Sequence, residues 1–125
     1  MIPIKGYSTF DPLKHCMIGA TYGRETFREI TNPKIREPLQ RIADETEEDF
    51  LKLESILKEH GVKTYRPNVE LRTEDNPDGH DITNRPPVSP RDHFAVIGET
   101  IYGTDGYRDF YKDLFKQIPV RAPLF

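Results

Sequence analysis

Apolar residues along this chain come in short clusters, and one stretch sustains a helical period. In residues 46–61, TEEDFLKLESILKEHG, Phe50, Leu53 and Leu57 recur at three- and four-residue spacing, with Ile56 beside them. That spacing predicts a helix. Thr46 followed by Asp49 resembles a capping box with a shorter acid. Acids fill the first turn and Lys58 and His60 the last, which complements the helix dipole, and Gly61 is a natural stop. VKTYRP then alternates into a predicted strand closed by Pro67. Upstream, HCMIGA (15–20) is a short apolar run after Asp11 and Pro12 and predicts a buried strand. TNPKIREPLQRIADE (31–45) places Ile35, Leu39 and Ile42 at helical spacing, with Thr31 or Asn32 as cap and Pro33 at the first position. Pro38 is expected to split or shorten that helix.

From residue 68 to 90 no period is visible, and a long polar loop rich in turn residues is expected. HFAVIGETIYG (93–103) reads as strand, tight turn and strand, pivoting at Gly98 and Glu99, with the first strand expected to be buried. YRDFYKDLFKQI (107–118) spaces Phe110, Leu114 and Tyr107, Tyr111, Phe115 as a third helix. The last residues, PVRAPLF, carry Val120, Leu124 and Phe125 without a cap or polar tail. Such an end is expected to pack on further structure, as though the chain were cut there. Helix, glycine and strand in succession are the second half of an α/β unit, so the fold class is α/β.

Composition narrows the function. The 125 residues suit one domain, 35% hydrophobic and 31% charged, and the mean hydropathy is -0.70. Net charge is -3 with no run of five like charges, so neither a nucleic-acid arm nor an anionic-membrane patch is expected. No apolar run approaches the ~20 residues of a membrane span. The opening MIPIKGYSTF lacks a secretory pattern. The single cysteine, Cys16, cannot form an internal disulfide, and no Cys/His framework for a metal is present. These features predict a cytoplasmic protein without metal or cofactor. GETIYGTDG has three glycines but not the spacing that cradles phosphate, and a hairpin explains it better.

Three stretches, in order, resemble one family. YSTFDPLKHCMIGATY is similar to the opening of the amidinotransferases, ETEEDFLKLESILKEHGVKTYRP to their first helix and strand, and RPPVSPRDHFAVIGETIY to their Pro-Arg-Asp segment and following hairpin. The resemblance runs from Tyr7 to Tyr102 and is to the glycine amidinotransferase-like branch of the pentein superfamily. It implies an incomplete pentein-type α/β propeller. Residues 1–125 would form the N-terminal part of a single domain, its first one to two ββαβ-like units. It further implies action on the guanidino group of arginine through a cysteine thiolate, a histidine acid/base and carboxylates that hold the guanidinium. The nucleophile and base lie downstream of the Pro-Arg-Asp segment in the family, so no catalytic residue is expected within this chain.

Asp92 corresponds to a guanidinium-binding carboxylate in that resemblance, with Arg91 in a supporting role. A planar, permanently charged guanidinium presents a fork of N–H donors that two carboxylate oxygens match. Residue types alone favour a plainer reading, an Arg-Asp pair or loop cap that orders a proline-rich turn. Cys16 reads better as a core thiol than as a nucleophile. His80 reads as a loop residue and His93 as pointing away from Asp92, and neither is given a catalytic role. Three readings of the whole chain stand: the N-terminal portion of an arginine-directed amidinotransferase, a fragment of a deiminase or methylarginine hydrolase, and a non-catalytic module that binds a guanidino compound or a partner. The expected partners are a small guanidino substrate, together with a second copy or a complementing C-terminal chain.

Overall fold

The computed structural model describes residues 2–8, 10–69, 86–103 and 110–118 of the chain. In chain order these form β1 (His15–Met17), a 3-10 turn (Arg24–Phe27), α1 (Pro33–Glu59), β2 (Lys63–Tyr65), a second 3-10 turn (Pro90–Asp92), β3 (Phe94–Ile97), β4 (Thr100–Gly103) and α2 (Lys112–Phe115). Helix and strand are mixed, as the α/β pattern predicts, and the strands form two separate two-stranded sheets.

Helix α1 unites two segments that the sequence divides. The Asn32 side chain accepts the Lys34 N–H at 3.0 Å, and Pro33 takes the first helical position. Pro38, expected to split the helix, sits inside one continuous run of 27 residues. It removes one N–H near the start, where the cost of about 3 kcal/mol for an interior proline is offset by propagation through two further turns of strong helix formers and beyond. Thr46 therefore lies mid-helix, and its apparent capping box with Asp49 does not form a helix start. Gly61, at φ 75°, ends the helix as predicted. Ala43 is buried and Phe50 and Leu57 are half-buried, but Leu53 and Ile56, read as the same stripe, are exposed. The helix turns a mixed face of small, polar and apolar residues towards the rest of the molecule.

β1 and β2 pair in parallel, with Cys16 opposite Thr64 and α1 as the crossover between them. The predicted strand over 15–20 pairs only as far as Met17. Ile18, Gly19 and Ala20 continue as buried chain outside the ladder, and the Ile18 N–H donates to the Tyr65 carbonyl at 2.8 Å. Thr64 Oγ1 donates to Glu54 Oε1 at 2.9 Å, and Lys58 Nζ stands 2.8 Å from the same oxygen, so this carboxylate ties α1 to β2. Lys58 first, then the Thr64 hydroxyl, hold the Glu54 carboxyl below its ordinary range. A depressed carboxyl pKa contributes stability that is present above the unfolded value and lost as pH falls through the folded one. Acid unfolding should therefore steepen below the ordinary glutamate value of 4.5. Glu54→Gln should flatten that part of the curve and cost about 1 kcal/mol at neutral pH, as read by urea unfolding at several pH values. An unchanged acid slope in the variant would remove Glu54 from the cause.

β3 and β4 form an antiparallel hairpin around Gly98 (φ 62°), where the turn was predicted. The expectation of a buried β3 is corrected: Ala95, Val96 and Ile97 are all exposed. The core takes the hairpin face that carries Phe94 and Ile101, and no described element covers the face of Ala95 and Ile97. Two apolar clusters, Ile2–Ile101–Ile118 and Tyr22–Phe110–Tyr111, share Phe94, Leu114 and Phe115 and so join the hairpin to α2. α2 lies within the helix predicted over 107–118. Residues 70–85 of the expected long loop, and the chain end from 119, lie outside the described residues. Among the described residues no helix is long and apolar enough to cross a membrane.

Candidate functional site

The segment that carries Asp92 is seated on the end of β1. The Ala20 N–H donates to the Pro87 carbonyl at 3.0 Å, and Pro87 is among the most buried side chains. Gly19 lies directly beneath Val88: a Cβ built on it would overlap the Val88 carbonyl oxygen and stand 2.9 Å from the Val88 Cα. Only a residue without a side chain allows that approach. Beyond Val88 the chain closes a single 3-10 turn, with the Asp92 N–H on the Ser89 carbonyl at 3.0 Å and the His93 N–H on the Pro90 carbonyl at 2.9 Å. Pro90 presets the first position of this turn.

Asp92 and Arg91 are thus adjacent on one turn at the threshold of β3. Asp92 Oδ1 lies 3.7 Å from Arg91 Nε, and their side chains are 65% and 89% exposed. A pair this long and this wet is worth under about 1 kcal/mol. The strand it precedes, expected to be buried, is exposed, and the Asp92 carboxylate itself faces solvent. Arg91 engages it weakly, through Oδ1 alone. His93 is half-buried, and Nδ1 lies 2.9 Å from the Tyr111 hydroxyl. Burial pushes the His93 pKa down, against the opposing charge of Asp92.

A second polar constellation, missed in the sequence, sits at the C-terminal ends of β1 and β2. Arg66 donates from Nη1 and Nη2 to the two carboxylate oxygens of Glu47, both at 2.7 Å, and from Nε to the Gly19 carbonyl at 3.2 Å. Its guanidinium lies 5.5 Å from the centre of the Phe50 ring. Glu47 raises the already high Arg66 pKa, against burial. Beside the pair is an open cavity of about 340 Å³, lined in part by Asp44, Glu47, Arg66 and Asn68. Asp44 pairs with Arg24 at 2.9 Å. The Arg66 fork is matched by Glu47, so this cluster fastens strand to helix. Neither Arg91 nor Asp92 lines the cavity. The signal that could have found the pair is the register of α1: Gln40, Ala43, Glu47, Phe50 and Glu54 share one face once the helix is taken as continuous.

Cys16 is half-buried, its Sγ 3.8 Å from the Met17 carbonyl, and burial pushes its thiol pKa up, away from an activated thiolate. His80 lies outside the described residues. Among the described residues no three His, Cys, Asp or Glu side chains converge as a metal site would require.

The chain superposes on inosamine-phosphate amidinotransferase from Streptomyces griseus with a TM-score of 0.61. The match covers 98% of this chain at 23% sequence identity, and spans 43% of the length of that protein. The likeness shows the fold of an amidinotransferase. No family model and no curated protein matches the chain.

Proposed function

We propose that this chain is the N-terminal portion of an arginine-directed amidinotransferase and that Asp92 supplies a carboxylate for the guanidinium of the substrate. The observation that carries the proposal is the fold likeness over 98% of the chain to a protein more than twice as long. The ordered resemblance of the three sequence stretches supports it, and so does a carboxylate held on a short, doubly anchored turn. In such an enzyme a thiolate bonds to the guanidinium carbon. The alkylamine nitrogen leaves with a proton, and the amidino group stays on sulfur until an amine takes it. The work of this chain is earlier: Asp92 accepts two parallel N–H donors and orients the flat cation for attack. The remaining units of the propeller, in the same chain or a complementing one, would cover the face of Ala95 and Ile97.

The chain by itself is expected to transfer no amidino group from arginine to glycine. Calorimetric titration should find arginine binding weakly, at about millimolar Kd. Asp92→Asn should weaken that binding about tenfold, because a charged acceptor is exchanged for a neutral one. Turnover by the isolated chain, lost in Asp92→Asn, would overturn the claim that it is a portion of the catalytic unit. Equal arginine affinity in both proteins would overturn the role of Asp92.

A further inference from the structure

Among the described residues Tyr111 has the most deeply buried of the large side chains, at 1% exposure. Phe94 meets its ring edge-on at 5.0 Å, and Phe115 lies 5.9 Å away. From inside this aromatic cluster its hydroxyl reaches His93 Nδ1 at 2.9 Å, with the two rings 5.8 Å apart. A buried phenol needs a hydrogen-bond partner, and any polar atom would satisfy it. The atom it meets belongs to the residue that follows Asp92. The same turn is held on its other side by the Ala20–Pro87 hydrogen bond and by the close approach of Gly19 to Val88. Five residues, 88–92, therefore run between two fixed points, one on the end of β1 and one in the core. A turn that short has little freedom once both ends are held. Asp92 is solvent-exposed, so what its surroundings can give it is direction.

We propose that Tyr111, acting through His93, is a positioning residue for the Asp92 carboxylate. The anchoring of the turn stands on the geometry alone, whereas its consequence for a ligand rests on the assignment of Asp92 to a guanidinium.

The test uses the ¹⁵N-labelled chain, with Tyr111→Phe keeping the packed ring and removing the hydroxyl. His93→Gln retains a side-chain acceptor. Fast amide exchange with water is read by NMR at Asp92 and His93, and at Phe50 and Leu57 of α1 as references. In Tyr111→Phe, exchange at Asp92 and His93 should rise about tenfold while the α1 amides stay unchanged, a local opening of that turn alone. His93→Gln should restore much of the protection relative to His93→Leu. L-Arginine affinity should fall about fivefold in Tyr111→Phe, the worth of one net hydrogen bond. Exchange unchanged in Tyr111→Phe, or raised equally in α1, overturns the anchor. A local rise with unaltered arginine affinity overturns positioning. A wild-type chain that binds no arginine, with the local rise intact, overturns the assignment of Asp92 and with it the ligand half of the proposal, and leaves the anchor standing.

Discussion

Gly19→Ala is expected to destabilise the chain by about 3 kcal/mol or more, among the largest effects open to a single methyl group. The added Cβ meets the carbonyl carbon, oxygen and Cα of Val88, all backbone. No side chain can rotate out of the way, so one of two segments must move. If residues 86–90 lift, the Ala20–Pro87 hydrogen bond breaks and Pro87 leaves its buried seat. If the end of β1 moves, the bonds of Ile18 to the Tyr65 carbonyl and of Arg66 to the Gly19 carbonyl are strained. Gly23→Ala is the control, because a Cβ there meets nothing within 4 Å; it should stay within about 0.5 kcal/mol of wild type. Urea midpoints of the two variants make the comparison. A Gly19→Ala protein as stable as Gly23→Ala would mean that the proline-rich segment does not rest on β1.

The second large effect is expected at Glu47. Its removal leaves the Arg66 guanidinium, 23% exposed, without the acceptor for two of its N–H groups. For a fully buried pair such a loss costs 3–5 kcal/mol. Glu47 is itself 40% exposed, so water can take part of its place and about 2 kcal/mol is expected. The plane of the guanidinium is also fixed by Phe50 and by the Gly19 carbonyl, so Arg66→Lys, which cannot form the fork, should resemble the loss of the pair more than its conservation. A double-mutant cycle with Glu47→Ala and Arg66→Ala should return a coupling of about 1–2 kcal/mol. A coupling under about 0.5 kcal/mol would reduce the pair to an ordinary surface contact.

These two positions show where sequence stops informing. Pro33, Gly61 and Gly98 were legible, and Asn32 as one of two candidate caps beside Thr31, because each acts through local backbone chemistry: a side-chain cap, a preset φ, a left-handed φ. Thr46 misled for the same reason. Its local pattern is that of a helix start, but the helix had already been nucleated at Pro33, and propagation past Thr46 is easier than stopping there. Once the helix was cut at Thr46, Glu47 became a first-turn acid that complements a dipole, and its true partner, 19 residues on, was out of sight. β3 misled differently. An apolar run says that a strand has faces worth covering, not that the covering element is at hand. Nothing local in GATYGR marks Gly19 as the floor beneath Val88, a contact made across 69 residues. Asp92 could be named through its surroundings in a family pattern, whereas its exposure and its tether through His93 to Tyr111 are tertiary facts.

The proposed role of Asp92 is tested most directly by comparing two ligands that differ in charge and little in shape. L-Arginine and L-citrulline are titrated separately into the ¹⁵N-labelled chain, and into its Asp92→Asn variant, while amide shifts are followed. Saturable shifts centred on Asp92 and His93 with arginine, absent with citrulline and needing about ten times as much arginine in the variant, are expected if a carboxylate there receives a guanidinium. Identical responses to both ligands, or arginine shifts that saturate at the same concentration in Asp92→Asn as in the unaltered chain, would contradict it.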